Sequence, residues 1–332
     1  MATSNPTATS NPATMRAVTH DRYGTSDVLA FGHIARPSVA DDDVLVHVRA
    51  AGLDRGAEHL MNGKPYAVRL ALGLRRPRQP VPGRDVAGVV VAVGAAVTQF
   101  AVGDEVYGVA PGSFAEFALT KADKLARKPA NLSFTQAAVV PVSAATALRA
   151  VQDVGRLEAG QSVLVLGASG GVGTFAVQIA KAFGAEVTAV CSTRNVDVVG
   201  SIGADRVIDY TKADFATEEQ RYDLILAANG DRSIWDYRRA LTADGCYAMT
   251  GGSNRQLTEA LVLGPLLSTG RRSFSNVLMK PNQADLLVLK ELCETGSVTP
   301  VIDRRFELHD VPAAIRYVED GRARGKVVVT VK

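Results

Sequence analysis

Residues 162 to 183 read SVLVLGASGGVGTFAVQIAKAF, an apolar strand that runs into a glycine cluster and then into an amphipathic helix. That order builds a seat for a diphosphate. Gly167 ends the strand, Gly170 and Gly171 admit close approach of backbone to an anion, and Gly173 lets the helix pack closely on the sheet. The first turn of the helix presents unpaired N–H groups and its positive dipole end. Ser169 and Val172 complete the turn, so both join the four glycines as predicted diphosphate contacts. A glycine pattern alone has low specificity; the flanking strand and helix supply the context that a dinucleotide fold requires.

Working outward, strand and helix patterns alternate downstream of the motif. EVTAVCS at 186–192, RVIDY at 206–210, YDLILAAN at 222–229 and CYAMTGG at 246–252 read as further strands. Such alternation predicts a doubly wound parallel sheet with helices on both faces. Upstream, VLVHVRAAG at 44–52, VAGVVVAVG at 86–94 and GDEVYGVAPGSFAEFALT at 103–120 are short strands between turn residues, the texture of a β-rich domain. QAAVVPVSAATALRAVQDVG at 136–155 is helical in spacing and leads into the motif. The tail returns to β character with PVIDRRFEL and KVVVTV, separated by the helix DVPAAIRYVEDG. We therefore expect an α/β protein in three parts. Residues 1–14 form a disordered tail, 15–135 and 290–332 a β-rich domain, and 136–289 a nucleotide-binding domain inserted between its two pieces.

The tail repeats ATSNP and has neither the basic start nor the apolar core of a secretory signal. In the whole chain of 332 residues, 47% hydrophobic and 21% charged, no apolar run approaches the roughly 18 residues of a membrane span. A net charge of +3, spread along the chain, argues against a nucleic-acid surface. Arg75, Arg76 and Arg78 cluster in a Pro-rich loop, read as solvated or substrate-side. Cys191, Cys246 and Cys293 form no Cys-x-x-Cys pair, as expected of a reduced cytoplasmic protein with buried thiols.

AAGLDRGAEHLMNG at 50–63, PGRDVAGVVVAVGAAVTQFAVGDEVYG at 82–108, TAL at 146–148, GASGGVG at 167–173, GADRVIDY at 203–210 and GKVVV at 325–329 occur in one order. With them the chain resembles the medium-chain dehydrogenase/reductase superfamily, and within it the zinc-free quinone-oxidoreductase branch. The resemblance implies a GroES-like catalytic domain, a Rossmann domain and an active site in the cleft between them. Zinc-containing relatives hold a catalytic metal by a Cys, a His and a second Cys. At the matching positions this chain has Asp54, Arg84 and Val142, which cannot supply three N or S ligands, so no metal is expected. Without a Lewis acid the resemblance implies reduction of an electron-poor acceptor, the C=C bond of an enal or enone or a quinone. Two alternatives stand beside it: a zinc-independent alcohol or carbonyl dehydrogenase, and a non-catalytic NADPH-binding sensor or scaffold.

Cofactor choice is legible at the end of the second strand of the sheet. An NAD site places an acid there for the ribose 2′-OH, whereas this strand ends Cys-Ser-Thr-Arg-Asn at 191–195. Ser192, Thr193 and Arg194 suit a 2′-phosphate, which favours NADPH. The resemblance adds Tyr210 beside that phosphate and Thr146 beside the nicotinamide, with charge from Arg324 or Lys326. Asn229 and Gly251, with Gly252, end strands at the crevice where the nicotinamide belongs. His59, Tyr66 and Asp54 are the catalytic candidates. His59 reads equally as proton donor or ribose-side histidine, and Tyr66 as phenol donor or pocket lining. Asp54 donates to an enolate only if protonated. Loops 62–80 and 253–280 are expected to wall a pocket for a small apolar electrophile. RRSFSNVLM at 271–279 resembles an edge strand that pairs two Rossmann sheets, which predicts a homodimer.

Overall fold

The computed structural model describes residues 13–332 apart from 65, 67, 68, 253, 269, 270 and 322. The expectation of disorder over residues 1–12 therefore lies outside the described residues. Its boundary is corrected at Thr14, which already pairs with Ala35 in a ladder. Thr14–Thr19 (β1) and Ala30–Ala35 (β2) form an antiparallel ribbon that sequence patterning had not suggested. Asp43–Leu53 (β3) follows, then helices Arg55–Asn62 (α1) and Arg69–Leu72 (α2). Strands Asp85–Val93 (β4), Glu105–Val109 (β5), Phe117–Lys121 (β6) and Leu125–Arg127 (β7) complete this part of the chain.

β3 is buried at nearly every position, which explains why its sequence is a near-continuous apolar run rather than an alternation. It is the central strand of a seven-stranded sheet, pairing with β4 on one side and with β6 and the last strand of the chain on the other.

Helices Phe134–Ala137 (α3) and Pro141–Arg149 (α4) lead across to the second unit, α4 running on into a π-helical turn at Ala150–Val154. α4 is apolar and buried all round because both units pack on it. Next come Ser162–Leu166 (β8), Gly171–Ala182 (α5), Glu186–Cys191 (β9), Val196–Ser201 (α6) and Arg206–Asp209 (β10). The unit continues with Tyr222–Ala227 (β11), Ile234–Ala240 (α7), Leu241–Met249 (β12), Asn254–Val262 (α8), Gly264–Leu267 (α9) and Ser273–Asn276 (β13). Its six strands are all parallel, in the order β10-β9-β8-β11-β12-β13. The order reverses between β8 and β11, and the carboxyl ends of those two strands open a crevice there.

Gln283–Glu294 (α10), Ile302–Glu307 (β14), Val311–Glu319 (α11) and Lys326–Thr330 (β15) close the chain. β15 pairs antiparallel with Ala50–Leu53 of β3, so the tail rejoins the first sheet. α10 spans the boundary expected at residue 289. Its Leu286, Leu289 and Cys293 share one core cluster with Val163 and Val165 of β8. The same cluster takes in Tyr107 of β5, whose hydroxyl donates to the Leu286 carbonyl at 2.5 Å, fixing the two units to each other.

Candidate functional site

A cavity of about 830 Å³ lies between the two sheets, at the reversal of strand order. Gly167 forms its floor in a left-handed conformation (φ 72°), which only glycine adopts without strain. A Cβ on Gly173 would stand 2.1 Å from the Gly167 carbonyl oxygen, so strand and helix meet as closely as they do because that side chain is absent. α5 starts at Gly171 with its N–H groups facing the cavity, and Ser169, Gly170 and Val172 line the same wall. This cradle fits the diphosphate of a dinucleotide.

At the outer end the chain leaves β9 through Ser192 and Arg194, which both line the cavity with Tyr210. Arg194 makes no ion pair with another described residue, whereas Arg232, also on the rim, is held by Asp214 at 2.7 Å. Thr193 requires a correction. Its hydroxyl donates to Asp209 Oδ2 at 2.6 Å and it does not line the cavity, because the turn after β9 points it toward β10. Hydrogen bonds from Thr193 and Thr211 hold the Asp209 carboxyl down at about 2.

Asn229 and Gly251, at the ends of β11 and β12, line the inner part, as does Thr146, whose hydroxyl donates back to the Val142 carbonyl at 2.7 Å. Beside them lies a charged cluster. Asp54 caps α1, accepting from the Ala57 N–H at 2.9 Å, and its Oδ1 stands 3.6 Å from Arg84 Nη2. Burial pushes the Asp54 carboxyl up, but Arg84, Lys326 and the backbone N–H groups of Ala57 and Gly56 outweigh it and leave it below the usual carboxylate range. Asp54 is therefore ionised and cannot donate a hydrogen bond, which removes the protonated role considered for it. Asp85, one residue beyond Arg84, accepts from the Val142 N–H at 2.9 Å at the start of α4. Burial pushes its carboxyl up to about 7, against the pull of Lys326.

Lys326 is in the cavity wall but not where the sequence suggested. It is 1% exposed, donates to Ser143 Oγ at 2.8 Å and packs against Gly171, at the inner end of the cradle instead of beside Ser192. The Gly325 N–H, bound to the Ser169 carbonyl at 2.8 Å, brings β15 to that place. Arg324 is exposed and does not line the cavity; its backbone N–H binds Asp303.

His59 is exposed on α1 with its side against the cavity. Tyr66 is corrected as a catalytic candidate: it is 69% exposed, outside the cavity lining, with the Arg69 guanidinium 4.9 Å over its ring. Among the described residues, none of loop 62–80 lines the cavity, and from 253–280 only Val277 and Met279 do. Arg75, Arg76 and Arg78 are exposed. Sequence reasoning missed Ser143 and Asn195. The residue type of an asparagine after a strand does not say which hydroxyls its amide reaches, and a serine inside an apolar helix carries no signal of a distant lysine.

Two interdomain sheets, a Gly-rich cradle at a switch point and a cleft between them define a nicotinamide-dependent oxidoreductase of the two-domain kind. The comparisons agree. Residues 40–130 match the family model described as alcohol dehydrogenase GroES-like domain, and residues 202–329 the one described as zinc-binding dehydrogenase. The chain is 35% identical to 2-methylene-furan-3-one reductase of Solanum lycopersicum, over 97% of this chain and 81% of that protein. It is 36% identical to the NADPH-dependent alkenal/one oxidoreductase, chloroplastic, of Arabidopsis thaliana, over 96% and 80%. The quinone oxidoreductase from Coxiella burnetii superposes with a TM-score of 0.85 at 29% identity, covering 96% of this chain and 100% of that one. The chain belongs to the medium-chain dehydrogenase/reductase superfamily.

Despite the name of the second family model, Asp54, Arg84 and Val142 converge in the cavity as one carboxylate, one guanidinium and one alkyl group, a set that does not fit a catalytic zinc. Among the described residues no helix is long and apolar enough to cross a membrane.

Proposed function

We propose that the protein is an NADPH-dependent, zinc-independent reductase of activated acceptors, an enal or enone C=C bond or a quinone. The observation that carries the proposal is the ionised Asp54 paired with Arg84 where a metal would otherwise stand. With Lys326 behind them and burial pushing the Asp85 carboxyl toward its neutral form, the two cations of the inner cavity outweigh its carboxylates. Their field stabilises an oxyanion that forms on the substrate, an enolate after hydride addition to the β-carbon, or a phenolate from a quinone.

When bound, the reduced nicotinamide supplies the hydride. The chain's own residues do the rest: the cradle at 167–173 fixes the diphosphate, Ser192 and Arg194 take the 2′-phosphate, and Arg84 is the donor aimed at the developing oxyanion. The α-carbon takes its proton from water or from His59 at the cavity edge. The names of the alkenal/one and furanone reductase relatives favour the same substrate class. The open side of β13, which among the described residues pairs with β12 alone, is the surface through which we propose a homodimer, in a cytoplasmic protein.

The test is loss of NADPH absorbance with a panel of enals, enones, quinones and saturated aldehydes, with and without a metal chelator. Turnover of the conjugated acceptors, indifferent to chelation, is expected. Turnover of saturated aldehydes alone, or activity lost to the chelator and restored by zinc, overturns the proposal.

A further inference from the structure

Between the diphosphate cradle and the end of β9 lies an amide that the function above does not use. Asn195 is 4% exposed and lines the cavity. It stands at the N-terminal boundary of α6, yet its side chain makes no capping bond to that helix. Instead Nδ2 donates twice, to Ser169 Oγ at 2.9 Å and to Ser192 Oγ at 3.1 Å. Its Oδ1 is buried without a hydrogen-bond partner among the described residues.

An amide N–H that donates to a hydroxyl oxygen leaves that hydroxyl's own proton free. Ser169 and Ser192 therefore both keep a proton to offer to the cavity. A phosphate oxygen ionised at neutral pH has no proton to give, so only a hydroxyl in this state can bond to it. A ribose 2′-OH both donates and accepts, and is served by either state. We propose that Asn195 is the residue that sets the preference for a 2′-phosphorylated cofactor. It does so as a positioning residue, holding Ser192 as a donor at the ribose end and Ser169 as a donor at the diphosphate. The inference rests on the NADPH reading above and names the device behind it.

The experiment is a double-mutant cycle of Asn195→Ala and Ser192→Ala, with kcat/KM measured for NADPH and for NADH. Each single variant is expected to lower the NADPH-to-NADH ratio by about 10- to 100-fold, the scale of one hydrogen bond to a charged acceptor. In this ratio the double variant drops no further than either single one, because Asn195 acts on the 2′-phosphate through Ser192, whereas the loss of Ser169 as a diphosphate donor falls on both cofactors alike and cancels. Asn195→Thr, which is too short to reach both hydroxyls, is measured beside the alanine variant and gives the same loss if alanine prevents folding. Equal loss with both cofactors, or effects that multiply in the double variant, overturns the inference. A wild-type ratio near one overturns the NADPH reading, and with it this inference; a high wild-type ratio left unchanged by Asn195→Ala overturns the inference alone.

Discussion

Lys326 Nζ lies 3.7 Å from Asp85 Oδ2, with the two side chains 1% and 0% exposed. β15 delivers the lysine and β4 the aspartate, from segments far apart in the chain, into the wall that separates the first sheet from the glycine cradle. A buried pair at this separation does not fully offset the cost of taking both charges out of water, which is why burial dominates and the carboxyl sits near 7.

A pH dependence follows. The folded Asp85 holds a proton that the unfolded chain releases above about pH 4. Stability contributed by this group is complete below that value and is lost as pH rises through about 7. Asp85→Asn lacks the titration, so wild type should lose stability relative to this variant between about pH 4 and pH 7 and run parallel to it above that, measured by urea unfolding from about pH 4 to pH 9. Lys326→Met removes the cation that pulls the carboxyl down and should move the wild-type transition to higher pH. A wild-type curve parallel to that of Asp85→Asn over the whole range contradicts the assignment.

Arg194 lines the outer end of the cavity and makes no ion pair with another described residue. Arg194→Ala should raise KM for NADPH by about 10-fold or more, through loss of charge-assisted bonds to the 2′-phosphate. KM for NADH should stay unchanged. Equal effects on both cofactors would mean that the arginine serves the diphosphate or the fold.

Gly173→Ala places a methyl group 2.1 Å from the Gly167 carbonyl and 2.7 Å from the Ala168 Cα, both backbone atoms that cannot step aside. The expected cost is about 1–3 kcal/mol or more, read as a lower thermal midpoint, with loss of NADPH binding by fluorescence titration. Retention of both stability and binding would show that β8 and α5 separate more freely than this contact implies.

Tyr66→Phe should leave kcat and KM for both cofactor and acceptor unchanged, since the phenol lies outside the cavity beneath Arg69. A fall in kcat of about 100-fold, the scale of a lost general acid, would return Tyr66 to the catalytic list.

The glycine motif and the strands and helices of the parallel sheet were legible because each depends on neighbours in sequence. Strand periodicity over 162–166, 186–191 and 222–227 and the helix beginning at Gly171 are local facts, and the structure has the same elements. The β1–β2 ribbon was not legible: its strand Ala30–Ala35 alternates weakly and is largely exposed. The helices at 254–262 and 264–267 were read as loop because the segment is amphipathic only over a short span between glycines.

At the site, residue type alone identified Asp54, Arg84 and Arg194 as worth placing, since a carboxylate or guanidinium in a metal or phosphate position is chemically conspicuous. Their states had to come from contacts. Thr193 is spent on Asp209, and Tyr66 faces solvent. Lys326 reaches Ser143, 183 positions away in the chain, only because β15 pairs with β3 and Gly325 binds the Ser169 carbonyl. Sequence by itself determined where a dinucleotide could lie, because backbone conformation and helix ends are fixed over a few residues. Tertiary structure alone decided which hydroxyls and charges face it, because a hydrogen bond reaches about 3 Å whatever the distance along the chain.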